Sequence, residues 1–180
     1  MNKKKFLTLG LAALAVSSFI ITNTFAKTMA DGMPSASFSV NDNVSDYYFK
    51  SRIYQGTYHW NVTPTPAAIG RSSTSTNTIN KLAGGATSSY GLYAAKYING
   101  SRGFDIYINY QAIDSLVSGR SLTDRDKAYE SVIVHELGHA LSLADLGFLD
   151  TRSSIMSEYI KRYNLWTPQQ YDINDVNAFY

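Results

Sequence analysis

The stretch His135-Glu136-Leu137-Gly138-His139-Ala140-Leu141-Ser142-Leu143-Ala144-Asp145 decides the reading of this 180-residue chain. On an α-helix, residues four apart stand about 40° apart around the axis and roughly 6 Å along it, so the imidazoles of His135 and His139 reach one metal ion. Glu136 falls between them, beside the position that the metal leaves open to water. A divalent zinc lowers the pKa of its water toward neutrality, and a neighbouring carboxylate takes the proton as that water attacks a carbonyl. The alternative, polar residues on a solvated helix face, is the ordinary fate of an isolated His or Glu. It fits poorly here, because the chain has three histidines and two of them fall in this pentad, within a segment rich in Val, Ile, Leu and Ala.

Two imidazoles do not complete a catalytic zinc site, which takes three protein ligands and a water. Two acids compete for the third place. Asp145 lies six residues beyond His139; on an unbroken helix that is about 600° of rotation and roughly 9 Å of rise, the wrong side for a shared ion. The helix must therefore stop before Asp145. Ser142 stands where a glycine would ordinarily make the left-handed turn, at a cost on the order of 1 kcal/mol for a residue with a side chain. The rival is Glu158, 19 residues beyond His139. In that reading Leu141 and Ala144 prolong the helix to Gly147, Asp145 faces solvent, and a later helix donates the glutamate in the thermolysin-like manner. Where the helix ends separates the two. The third histidine, His59, sits beside Trp60 at the end of an expected helix and reads as structural.

The rest of the chain bounds the setting. Lys3, Lys4 and Lys5, the apolar run Phe6 to Ile21 and the small-residue site Thr24-Phe25-Ala26 read as a secretory signal over 1–26, too short and too serine-bearing for a membrane anchor. Cleavage after Ala26 leaves 154 residues, enough for one domain with a real core. Without the three leader lysines the chain carries 13 basic against 14 acidic side chains. That balance offers no footprint for nucleic acid or anionic lipid, and a monomer acting on a protein or peptide is expected. No cysteine is present, which removes disulfides, thiolate ligands and thiol nucleophiles together. Asp105, Asp114 and Asp150 could bind calcium, but no spacing resembles a calcium loop, and calcium is left unassigned.

Residues 27–43 form an N-terminal segment with a short strand over Ser35 to Val40, and 44–180 the catalytic domain. Phe49, Ile53, Gly56 and Trp60 recur at helical spacing from Val44 to Trp60. Gly70 to Asn80, rich in Ser, Thr and Asn, reads as loop or exposed edge hairpin. Ser89 to Ile98 and Phe104 to Ile113 read as antiparallel strands joined by Asn99-Gly100-Ser101-Arg102-Gly103. Thr123 with Asp126 suggests a capping box for the helix that carries the histidines, whose buried face is Tyr129, Val132, Ile133, Leu137 and Leu141. Thr167 as cap and Pro168 at the first position open a final helix.

The motif from His135 to Asp145 resembles the extended zinc signature of the metzincin peptidases in its snapalysin-like version, and Ser153-Ser154-Ile155-Met156-Ser157 resembles their Met-turn. Leu165 to Tyr180 is similar to the final helix of matrixin-type domains, and Trp60-Asn61 to the end of their first helix. The resemblance implies a small α+β domain with a twisted mixed sheet, a first helix, an active-site helix beneath a cleft and a C-terminal helix. It implies one catalytic zinc held by His135, His139 and Asp145, Glu136 as the base, and Met156 as an apolar floor. Substrate would lie along an edge strand, for which Ser89 to Ile98 is the candidate. The chain departs from the family in Ser142, where a glycine is usual, and in ending on Asp145 in place of histidine. The function expected is a secreted zinc endopeptidase; the contrasting expectation is a binding module or inactive relative that keeps zinc for folding.

Overall fold

Small polar residues alternating with Phe38 and Val40 make Ser37–Asp42 a strand, β1, with the two apolar side chains turned inward. The computed structural model describes residues 28–82 and 89–180, so the expected signal over 1–26 lies outside the described residues. Asp46 caps the next element, accepting from the amides of Tyr48 and Phe49, and starts α1 (Tyr47–Asn61). The buried face of α1 carries Phe49, Ile53, Gly56 and Trp60, the positions their spacing predicts.

The polar segment after α1 is not a loop or hairpin throughout. Its ends form β2 (Ala68–Arg71) and β3 (Thr78–Leu82), which lie on either side of β1 and run parallel to it. Ile69 and Ile79 fill the inner face while the Ser, Thr and Asn side chains occupy the outer pleat and the connection, so the composition hides the strands. β4 (Gly91–Ile98) and β5 (Ser101–Asn109) are antiparallel as expected, joined by Asn99 (φ 52°) and Gly100 (φ 79°), the signature of a two-residue type I′ turn. The second strand begins earlier than expected and stops at Asn109, whose side chain accepts from the Ala112 amide and opens α2 (Tyr110–Leu116); Tyr110 to Ile113 are helical.

The sheet runs β2-β1-β3-β5-β4, with β4 as an antiparallel edge on a parallel remainder. Val40, Ile79, Phe104, Ile106 and Ile108 face a common core with α1 and α3 (Leu122–Ala140), while Thr78, Asn80, Lys96 and Asp105 occupy positions outside it. This is an α+β domain with a five-stranded mixed sheet. The cap of α3 is Ser121, which accepts from the Asp124 amide, and not Thr123; Asp126 instead receives Tyr48 Oη at 2.7 Å and pairs with Arg52 at 3.2 Å, tying α3 to α1. His59 belongs to the same seam, 3.1 Å from Glu130, in the structural role its position suggested. The last helix, α4 (Gln170–Phe179), starts later than Thr167 and Pro168 predicted, because Asp172 reaches back to the Gln169 amide at 2.7 Å and makes Gln169 the cap. Leu165 to Gln169 are therefore not helical. No helix among the described residues is long and apolar enough to cross a membrane.

Candidate metal centre

From Ala128 to Ala140 every residue of α3 is buried, and this includes His135, Glu136 and His139. Polar groups inside a domain must find partners. His135 Nδ1 lies 3.0 Å from the Ile155 carbonyl and His139 Nδ1 lies 2.9 Å from the Leu143 carbonyl. A carbonyl only accepts, so each Nδ1 carries a proton and Nε2 is the atom left to face a metal. Burial, with the charges of Arg162 and His139 behind it, pulls the His135 pKa down to about 4, so this ring is neutral at pH 7.

The end of α3 places the third group. Helical geometry stops at Ala140, and Ser142 adopts φ 66°. The Ser142 amide donates to His139 O and the Leu143 amide to Gly138 O, both at 2.9 Å, the paired closure of a Schellman turn with serine in the left-handed position. Ser142 Oγ is 3.1 Å from Tyr180 Oη, and the Ser142 carbonyl accepts from the Met29 amide at 2.9 Å, contacts that hold the strained residue in place. The turn does two things at once. It delivers the Leu143 carbonyl to His139 and brings Asp145 Oδ1 to 3.1 Å from His135 Nε2 and 3.5 Å from His139 Nε2. The helix does not continue to Gly147, and Glu158 lines the same cleft as the histidines and Asp145 without an ion pair to either histidine among the described residues.

Below the histidines lies the 153–157 segment, fixed from α4. The Ile155 amide donates to Asp172 Oδ2 at 2.9 Å, Ser154 Oγ donates to the same carboxylate, and the Met156 amide donates to Ser154 Oγ at 2.9 Å. Met156 packs its sulfur onto α3 between the two histidines: a Cβ on Gly138 would lie 2.4 Å from Met156 Sδ. Met156 is thus an apolar support and Ile155 the residue that orients His135.

Glu136 lines a cleft of about 430 Å³ between α3, the beginning of β4 and residues 158–162. Burial raises its carboxyl to about 8, against the pull of the Arg162 charge. Its oxygen rests on the backbone of β4, so that a Cβ at Gly91 would come within 2.2 Å of Glu136 Oε1. Gly91, Arg162 and Asp172 had no signal in the sequence, because each acts through a packing contact that no helix or strand period encodes. Tyr159 is 64% exposed and packs on Phe148, outside the cleft lining.

Among the described residues, His135, Glu136 and His139 form a group of metal-binding side chains with ligand atoms within 4.8 Å of one another, and Asp145 adds an oxygen close to both imidazoles. Two imidazole nitrogens and a carboxylate oxygen could hold a divalent cation with a position left over. The three acids considered for calcium each face a cation instead: Asp105 meets Lys96 at 2.5 Å, Asp114 meets Arg125 at 3.0 Å, and Asp150 pairs with Arg152. No known family model and no curated protein sequence matches this chain.

Proposed function

We propose that this chain is a secreted zinc-dependent endopeptidase of the metzincin type, with His135, His139 and Asp145 as ligands and Glu136 as general base. One observation carries the reading. Two Nε2 atoms, their orientation set by the Nδ1–H bonds, converge with Asp145 Oδ1 at 3.1 and 3.5 Å, both rings buried and the Asp145 side chain 43% exposed. A divalent cation among them would bind all three atoms at once, whereas a proton on one ring would join only one nitrogen to the carboxylate.

A zinc ion bound there would supply an acidified water and polarise the scissile carbonyl. Glu136 takes the proton of the attacking water and passes it to the leaving amine, which requires its carboxylate to stay directed into the cleft. The outer edge of β4, which has no strand partner among the described residues and whose first residues line the cleft, suits an extended peptide that adds to the sheet as a further strand. Export is inferred from the basic, apolar and small-residue pattern of 1–26.

A second reading has its own support: Glu136 is near enough to the histidines to act as a fourth ligand, which would close the site and make the zinc structural. The Glu136→Gln variant separates the two. Its zinc content and its hydrolysis of unfolded casein would be measured, with and without chelator. The peptidase reading expects one zinc retained and turnover reduced by roughly 100-fold or more. Loss of the metal with Glu136, or turnover equal to that of the unaltered chain, overturns it.

A further inference from the structure

Arg162 differs from the other arginines of the described residues. Arg52, Arg71, Arg120, Arg125 and Arg152 each have a carboxylate within 4.0 Å, and Arg102 donates to the Ala30 and Gly32 carbonyls and to Tyr97 Oη. Arg162 is only 6% exposed, yet none of the ion pairs among the described residues includes it. Nη1 donates to the Ile155 carbonyl at 3.1 Å, the same oxygen that holds His135 Nδ1 at 3.0 Å. The guanidinium is therefore within about 6 Å of the metal-binding ring, and it lines the cleft together with Tyr90 and Val132. Val132 stands one helical turn before Glu136 on α3, so this recess adjoins the reacting position within the reach of one substrate side chain. The carboxyl groups of Glu136, Asp145 and Glu158 share the cleft and balance its charge from beyond 4.0 Å, but a planar fork of five donors with one in use, buried at the cleft wall, keeps donors for a carboxylate in direct contact.

We propose that Arg162 anchors a substrate carboxylate, so that the cleft prefers peptides carrying a carboxylate beside the scissile bond, either an Asp or Glu side chain or a free C-terminus. The inference rests on the peptidase reading for its substrate class. Arg162 is a binding residue here, distinct from the ligands and from the base. Its bond to the Ile155 carbonyl offers a competing role, the positioning of His135, and the test has to tell the two apart.

Two measurements do so. The zinc-loaded chain is given matched peptides with Glu or Gln at each position flanking the cleaved bond, each with a free or an amidated C-terminus, and kcat/KM is compared. The chelator-treated chain is titrated with the same peptides for Kd. A Glu-over-Gln or acid-over-amide preference of roughly ten- to a hundred-fold is expected. It should disappear in Arg162→Gln and return in part in Arg162→Lys; which pair of peptides shows it identifies the source of the carboxylate. If Arg162→Gln lowers turnover of every peptide by the same factor, its role is positioning and the proposal falls. If no peptide is cleaved but the metal-free chain binds the carboxylate form more tightly through Arg162, the anion site stands and the peptidase reading falls. Equal binding and equal turnover of both forms overturn the proposal.

Discussion

Replacing Gly91 with alanine should disable the base while leaving the fold intact. Gly91 opens β4 with no left-handed backbone angle, so an alanine is allowed there, and in a strand it is favoured over glycine by about 0.5–1 kcal/mol. The added Cβ would lie 2.2 Å from Glu136 Oε1 and 2.7 Å from Glu136 Cδ, where contacts under 3.0 Å do not persist. Glu136 is 4% exposed and α3 is buried around it, so the carboxylate must retreat by at least about 0.8 Å without the helix giving way. A misplacement of about 1 Å costs on the order of 100-fold in rate, or about 2.7 kcal/mol of transition-state stabilisation. The assay is kcat and KM on a quenched fluorescent peptide, beside zinc content and a thermal melt. The loss should fall on kcat, with zinc retained and the melting temperature unchanged or raised. Gly91→Ala with kcat within threefold of the unaltered chain would refute the assignment of Glu136 as a positioned base.

Two further outcomes follow from the same packing. Gly138→Ala drives a methyl to 2.4 Å from Met156 Sδ and 3.6 Å from Trp60 Cζ2, both side chains being buried. Overpacking of about 1–3 kcal/mol, less about 1 kcal/mol of helix propensity, leaves a net loss of up to about 2 kcal/mol and a melting temperature lower by up to about 8 °C, with weaker zinc binding; a raised melt with zinc affinity unchanged contradicts the close seating of Met156. In the metal-free chain, Glu136 titrates near 8 where an ordinary glutamate titrates at 4.5, so the folded state holds a proton that the unfolded chain releases, and stability falls as pH rises through that window. His135, lowered from 6.5 to about 4, works in the opposite sense below pH 6.5. Denaturant unfolding of the chelated chain should therefore show stability falling between about pH 6.5 and 8, above the window of His135, and Glu136→Gln should flatten that decline; a flat profile in the unaltered chain contradicts the burial of the carboxyl.

Legibility from sequence followed the range of the interactions. The pentad from His135 to His139 is local helical geometry, and the requirement that the helix end before Asp145 followed from its 3.6-residue period; the left-handed Ser142 meets it. Asn99-Gly100 announced the β4–β5 turn for the same local reason. Tyr110 to Ile113 misled because a run of Tyr, Ile and Ala suits strand and buried helix alike, and the deciding feature is the Asn109 cap. The parallel pairing of β2 and β3 with β1 joins residues some 30 to 40 apart, which composition does not encode. Gly91 against Glu136 and Arg162 against Ile155 are likewise products of tertiary packing, and they are where the site has most of its detail beyond the motif.

Zinc titration of the chelator-stripped chain, followed by native mass spectrometry and competition with a chromophoric chelator, bears most directly on the central claim. One ion per chain is expected, lost in His139→Ala and weakened by roughly 10- to 100-fold or more in Asp145→Ala, while Glu158→Ala binds as the unaltered chain does. Failure to take up a single ion, or an affinity indifferent to Asp145 and dependent on Glu158, would contradict it.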